Sequence, residues 1–460
     1  MLKRIHLQNF KAWKELDIRL GPVTGLFGTN SSGKSSIFQF LLLLKQTKNA
    51  TDRSLVLDFG SSESLVNLGS FYDIIHAHEA SSILTWKLLW NMPHKLTIND
   101  ATKKRTEALA SGSTLITSSL ARLQNKLVIS DNLEYRFDKH TFGIRPKKIG
   151  SKEYILEAET PETSSFRFVR NQARAWALPG PIKTHLFPDQ AKTYFKNSDF
   201  LGQFEAEYES LMDSIYYLGP LREYPKREYP WSGASPADVG KRGERTVEAL
   251  LSATLRGEKR NLGAKTHYKP FQEIIAYWLK KLGLIHEFKI EEIGSGANLY
   301  RAIAKRDAKS PTALLTDVGF GVSQILPALV LLYYVPEGST VLMEQPEIHL
   351  HPSVQSGLAD VIIKVAQTRK LQVIVESHSE HLLRRLQRRV ADQTCSPDLV
   401  KLYFCDSING QSKLVDLELD AYGEVGNWPE NFFGDEMKEV AETRKAMLRR
   451  KIQDNKGLNE

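Results

Sequence analysis

Pro22-Val-Thr-Gly-Leu-Phe-Gly-Thr-Asn-Ser-Ser-Gly-Lys-Ser-Ser36 is the stretch on which the reading of this chain turns. An apolar, strand-like run enters a glycine-rich turn, and Ile37 to Leu44 continues as an apolar helix. Gly28, Gly33, Lys34 and Ser35 satisfy the spacing G-x4-G-K-[ST] of a P-loop, in the strand–loop–helix context that motif needs. Glycine is required because the backbone must curl with its N–H groups turned inward on a phosphate. The helix N-terminus adds the positive end of its dipole to the same place. Gly28, Thr29, Asn30, Ser31, Ser32, Gly33, Lys34, Ser35 and Ser36 therefore read as a triphosphate cradle. In it Lys34 is expected to neutralise the β- and γ-phosphates and Ser35 to hold Mg²⁺.

Upstream, Ile5 to Trp13 alternates apolar and polar residues as a half-buried strand does, and is expected to be the first strand of the sheet that ends at the P-loop. Far downstream, Thr340-Val-Leu-Met-Glu-Gln-Pro-Glu-Ile-His-Leu-His-Pro352 is an apolar strand closing on an acid, the layout of a Walker B element. Glu344 is expected at the C-terminal edge of a sheet, where α/β folds bind ligands, facing Mg²⁺ or its water. A further apolar strand, Leu371 to Glu376, runs into Ser377-His378-Ser379, which places His378 to sense a γ-phosphate. A rival reading takes His349, His351, His378 and the nearby acids as a zinc hydrolase site. The P-loop and the strand-terminal Glu344 weigh against it. Between the two ends, Thr316-Asp-Val-Gly-Phe-Gly-Val-Ser-Gln-Ile-Leu-Pro-Ala-Leu329 is a glycine-rich turn opening an apolar helix, either an anion site or a plain helix start.

Composition narrows the classes that remain. With 460 residues, 41% hydrophobic and 25% charged, the chain is neither disordered nor fibrous and has room for two or three domains, or one with an insertion. Cys395 and Cys405 exclude a disulfide scaffold and match no zinc spacing. Near the N-terminus the longest purely apolar run is Phe40 to Leu44, far short of the roughly 20 residues of a membrane helix. The start lacks a secretory leader, so the expectation is a cytoplasmic protein without membrane contact. A net charge of +8 permits a polyanionic partner without requiring one.

The order of P-loop, Gly-Phe-Gly-Val-Ser-Gln, Glu-Gln-Pro-Glu-x-His-Leu-His-Pro and Ser-His-Ser resembles the ABC-type ATPases of the RecF, SMC and OLD group, over about residues 1–75 and 211–435. The stretch Asp420 to Phe433 looks like a small domain of unknown function that often follows such heads in bacterial and phage-defence ATPases. Among them the chain is most similar to the stand-alone ATPase subunits of the Septu and PARIS antiphage systems. The resemblance implies an α/β fold, a P-loop ATPase head built from an N-terminal and a C-terminal lobe. It further implies a mixed helical and strand insertion and a small C-terminal domain. The corresponding bounds are 1–80, 81–210, 211–410 and 411–460. The implied cofactors are ATP and Mg²⁺, the latter held by Ser35 and Glu344. Gly319, Gly321, Ser323 and Gln324 would close on the γ-phosphate of a second copy in a head-to-tail dimer, with His378 as the switch histidine and His349 to Pro352 at the seam. A separate nuclease or toxin effector and a phage-encoded trigger are the implied partners. The alternative is a RecF-like ATPase that binds DNA directly.

One departure bears on mechanism. Such heads usually carry a second acid just after the Walker B carboxylate, as general base for water, and here that position is Gln345. An amide orients water but takes no proton. Either Glu347 serves instead, or hydrolysis is slow and occupancy by ATP is the signal; turnover above about 10 per second would overturn the slow reading. A glutamine early in such heads often contacts Mg²⁺ and the attacking water, and Gln39 and Gln46 are both at hand. The middle of the chain carries no nucleotide motif: a helix is expected around Glu107 to Leu127, followed by short strands such as Tyr154 to Ala158. Lys103-Lys104-Arg105 and the basic run from Arg145 are a solvated face or a DNA track. Arg222 is a candidate phosphate or subunit contact, or a surface ion pair. Val239 to Glu244 is an anion-binding loop or a turn before the helix at Thr246 to Leu255. Met437 to Lys451 reads as a basic helix, and no nuclease constellation is apparent, so the chain is expected not to cut DNA itself.

Overall fold

The computed structural model describes residues 1–102, 108–148, 151–162, 164–171, 177–263, 266–294, 296–429 and 444–447. Lys103-Lys104-Arg105 and nearly all of Met437 to Lys451 lie outside them.

Four apolar strands, Val23–Gly28, Thr340–Glu344, Gln372–Glu376 and Val400–Ile408, gather from distant parts of the chain into one sheet. Its order is Ile215–Leu218, Thr340–Glu344, Gln372–Glu376, Val23–Gly28, Val400–Ile408 and Gln411–Leu417; the first five are parallel and the last returns as a hairpin. The apolar runs do not alternate because both faces are covered, as in parallel sheets generally. Leu26, Leu342 and Ile374 point into one core, and Phe27, Val341, Met343, Val373 and Val375 into the other. The second core is roofed by the helices Thr246–Leu255, Phe271–Lys281, Phe320–Tyr334, Pro352–Arg369 and Glu380–Ala391.

The first core is shared with a second sheet, antiparallel and eight-stranded among the described residues. Its order is Trp13–Arg19, Leu2–Phe10, Leu84–Asn99, Ala108–Gln124, Leu133–Phe137, His140–Pro146 and Tyr154–Glu159, with Leu127–Ile129 paired to Ala108–Gln124. The P-loop helix, Lys34–Asn49, belongs to this shared core and is buried on nearly all sides. Phe40 meets Phe10 and Trp86 edge to face at 5.5 and 5.8 Å, a geometry that suits the ring quadrupoles. The nucleotide-binding helix is thus clamped by aromatic packing well before any ligand binds.

The α/β head with two lobes and a mixed insertion is therefore present, with two local corrections. Ile5 to Trp13 is not one strand of the P-loop sheet. The chain turns at Lys11-Ala12, Phe10 pairs with Trp13, and the resulting hairpin forms the edge of the antiparallel sheet. The helix expected around Glu107 to Leu127 is not formed by the described residues there, which are the strand Ala108–Gln124, a turn at Asn125-Lys126 and the first residue of the strand Leu127–Ile129. Leu115, Thr117, Ser119 and Ala121 recur every second residue on the buried face, and the pairing with Leu84–Asn99 satisfies the backbone. Alternation with Thr and Ser wins over the Ala and Leu content, because β pairing is decided by neighbours more than by propensity. The strands on either side of residue 80, Leu2–Phe10 and Leu84–Asn99, pair directly, and residue 410 lies in the turn of the final hairpin.

After that hairpin, Gly423 sits so close to the helix Glu380–Ala391 that a Cβ there would lie 2.3 Å from the Gln387 carbonyl oxygen. Arg384 stacks over Trp428 at 5.0 Å. The start of the C-terminal segment is therefore docked on the helix that follows Ser377-His378-Ser379.

Candidate nucleotide site

The strand order brings the P-loop, Glu376 and Glu344 to one edge. Gln372–Glu376 lies between the P-loop strand and Thr340–Glu344, and register pairs Glu344 with Glu376 and Glu376 with Leu26. Both acids therefore end their strands side by side at the C-terminal edge, directly beside the P-loop turn.

The loop conformation admits only glycine at its ends. Gly28 has φ +137°, and a Cβ there would lie 2.0 Å from the Cys405 carbonyl oxygen; Gly33 has φ +89°, and its Cβ would meet the Ser412 hydroxyl at 2.4 Å. Trp13 Nε1 donates to the Gly33 carbonyl at 2.9 Å, fixing the turn from the antiparallel sheet. Lys34 Nζ donates to the carbonyls of Thr29 (2.6 Å) and Gly28 (3.2 Å), so the ammonium lies over the loop it is expected to serve. Burial lowers its pKa, with Glu376 the largest opposing charge.

Ser35 Oγ donates to Glu376 Oε1 at 3.0 Å. Glu344 Oε1 instead accepts from Tyr217 Oη at 2.9 Å. The carboxylate nearest the P-loop serine is thus Glu376, which sequence reasoning passed over. The signal was there: Leu371 to Glu376 is a second apolar strand closing on an acid, but a parallel register was needed to set it beside Ser35. Glu376 has its pKa raised by burial, against the Ser35 hydrogen bond and Lys34. Glu344 is pushed up to about 7, first by burial and then by the Glu376 charge.

The segment after Glu344 is bound to the turn Ser377-His378-Ser379. Gln345, at φ +43°, donates its backbone N–H to the Glu376 carbonyl at 2.8 Å. Glu347 Oε1 accepts the His378 backbone N–H at 2.7 Å, and its other oxygen is buried without a hydrogen-bond partner. His378 itself has its pKa lowered by burial and by Lys34, opposed by a hydrogen bond to the Gly28 backbone. His351 caps the helix Pro352–Arg369, accepting from the Ser353 N–H at 3.3 Å. Among the described residues the histidines and neighbouring acids form no metal-ligating cluster.

Gly319, Gly321, Ser323 and Gln324 open the helix Phe320–Tyr334 elsewhere on the head. Gly319 is exposed with open space around it, and a Cβ at Gly321 would face Leu284 and Leu350. Gln46 is a structural residue, donating to the Asp58 carbonyl and accepting from Val66 N–H, while Gln39 accepts from Lys11 at 2.6 Å. The Val239 to Glu244 turn is filled by its own Glu244 carboxylate, which accepts from Arg242 N–H at 2.8 Å. Arg145 and Lys147 pair with Glu157 and Glu153 at 2.6 Å each, a solvated face rather than a free basic track.

A glycine cradle, a lysine over it, a helix N-terminus and hard oxygen donors fit a magnesium nucleotide, and Glu376 Oε2, buried without a partner, is a ligand atom in waiting. Fold and site define a P-loop ATPase head. The chain belongs to the AAA ATPase domain family, whose profile matches residues 1–170 and 258–383, more than half of the chain. A second profile, a protein of unknown function (DUF3696), matches residues 395–442. No curated protein sequence matches the chain. Among solved structures, the SMC head bound to the C-winged-helix domain of ScpA is 12% identical, covering 91% of this chain and 98% of that one with a TM-score of 0.44. The Smc head with an extended coiled coil bound to the C-terminal domain of ScpA, from Pyrococcus furiosus, is 11% identical, covering 96% and 99% at 0.45. The SMC head domain from Thermotoga maritima is 12% identical, covering 91% and 99% at 0.37.

Proposed function

We propose that this ATPase binds ATP and hydrolyses it slowly, as the sensor and scaffold subunit of an antiphage defence complex that controls a separate nuclease or toxin. The observation that carries this reading is Gln345, an amide where a general base belongs, beside a buried Glu347 carboxylate that holds the His378 backbone N–H with one oxygen. Bound ATP with Mg²⁺ supplies the phosphoanhydride and the charge that the site must recognise. The P-loop N–H groups and Lys34 bind the phosphates, Ser35, Glu376 and Glu344 hold the cation side, and Gln345 orients water without accepting its proton. Occupancy then reaches the neighbouring segments through the Glu347–His378 link. Gly319, exposed with open space around it just before the helix Phe320–Tyr334, suits closure on the P-loop of a second copy, which would have to uncover the buried Ser323 and Gln324, and closed pairs would stack into a larger assembly. The ion-paired basic face weighs against the alternative of a RecF-like protein that clamps DNA.

The test is the native mass of the chain purified together with the product of its neighbouring gene, with ATP and with a Lys34→Ala control. An ATP-dependent assembly of several ATPase copies carrying a nuclease-like or toxin-like protein is expected. A monomer or dimer without any partner, and with ATP-strengthened DNA binding, would replace this reading by the RecF-like one.

A further inference from the structure

Arg222 is a charged group of the sheet edge that the reading above leaves without work. It follows the strand Ile215–Leu218, which pairs with Thr340–Glu344, so the edge runs from the P-loop through Glu376 and Glu344 to Arg222. Arg222 is 8% exposed, yet Nη2 reaches the Glu344 backbone oxygen only through a long bond of 3.5 Å. Nε and Nη1 are buried with no hydrogen-bond partner. The Glu344 carboxylate accepts from Tyr217 Oη and from neither of these donors. A buried guanidinium without partners for its fork of donors is costly and is kept only where something pairs with it. Burial lowers its pKa to about 10, against Tyr217, Glu344 and Glu347, which leaves it a cation at neutral pH.

Two buried cations therefore bracket the acids of this edge, Lys34 at the P-loop end and Arg222 at the far end. Lys34 lies over the P-loop carbonyls of Gly28 and Thr29; Arg222 lies beyond Glu344, at the opposite end of the row of acids. We infer that Arg222 binds the terminal phosphoryl group of ATP with its Nε–H and Nη1–H and so makes the site discriminate ATP from ADP. The planar fork suits a phosphoryl oxygen pair better than a lysine would. The role rests on the ATP-binding reading proposed above and adds to it the residue that reports the nucleotide's state.

Fluorescent ATP and ADP analogues titrated with Mg²⁺ against the full chain test this, beside the melting temperature of the unliganded protein. Arg222→Ala is expected to weaken ATP by about 10- to 100-fold, the span of one or two charge-assisted hydrogen bonds, and to change ADP less than twofold. Arg222→Lys should recover part of the ATP affinity, and Arg222→Gln, of similar size and uncharged, should not. The unliganded melting temperature should hold or rise, since an unpaired buried cation is removed. Equal losses for both nucleotides, or none for either, would overturn the assignment, as would a fall in melting temperature with unchanged ATP-to-ADP preference in all three variants. Lys34→Ala separates the two levels: it should lose ATP and ADP alike, and if it loses neither, the nucleotide site itself has been misread whatever Arg222 does.

Discussion

The parallel sheet ends in a row of buried charges, Lys34, Glu376, Glu344 and Arg222, whereas the antiparallel sheet turns inward a row of rings centred on Phe142. Phe142 touches Phe200 at 4.8 Å, Phe166 and Phe204 at 5.7 Å, and Phe168 at 6.2 Å. Both regions are deeply buried, but the second is built of ring on ring, with neutral groups such as the His140 and His185 nitrogens left unpaired, whereas the first leaves atoms of ionisable acids and a guanidinium, Arg222 Nε, Glu347 Oε2 and Glu376 Oε2, without partners. The contrast teaches where stability and chemistry separate. Apolar packing holds the P-loop helix in place from one side, and the polar edge it presents is left with donors and acceptors for a ligand.

The sharpest way to break the comparison is Phe142→Ala. It should cost about 3–5 kcal/mol of stability, read from the urea midpoint, while ATP affinity of the folded fraction stays within about twofold. A loss of ATP affinity at full occupancy of the fold would show that the aromatic cluster tunes the site rather than only supporting it. Next comes Gln345→Glu, which should raise turnover at least about tenfold by restoring a proton acceptor and leave the melting temperature unchanged. Unchanged turnover would place the general base elsewhere and remove the argument for slow hydrolysis.

The smallest effect, absent at neutral pH, concerns His185. It stacks on Tyr208 at 4.6 Å with both ring nitrogens buried and unpartnered; Glu209 lies 3.6 Å from Nε2, too far to bond, and is itself half exposed. Burial, then Lys183 and Lys48, pushes its pKa down to about 3. An unfolded histidine titrates near pH 6.5. Between the two values the unfolded chain binds a proton that the folded chain refuses, so stability falls as pH drops from about 6.5 towards about 3. His185→Phe, which keeps the stacking ring and the backbone carbonyl that accepts from Tyr135 Oη, should flatten that slope. An unchanged acid limb would show that other groups set it.

The P-loop was fully legible in the sequence because its physics is local: glycines for positive φ, a lysine and a serine at fixed spacing, a strand before and a helix after. The strands that end at Glu344 and just before Ser377-His378-Ser379 were legible for the same reason, as short apolar runs ending in polar residues. The pairing of strands far apart in the chain was not. Whether Ile5 to Trp13 continued or turned back, and whether Glu107 to Leu127 coiled or extended, depended on which strands lay alongside. The same non-local register decided that Glu376, and not Glu344, bonds Ser35, that Tyr217 takes Glu344, and that Arg222 is left buried with open donors. Residue type and spacing by themselves determined what chemistry this protein carries; only the tertiary structure decided which side chain stands at which point of it, because neighbours across a sheet are set by register and burial rather than by distance along the chain.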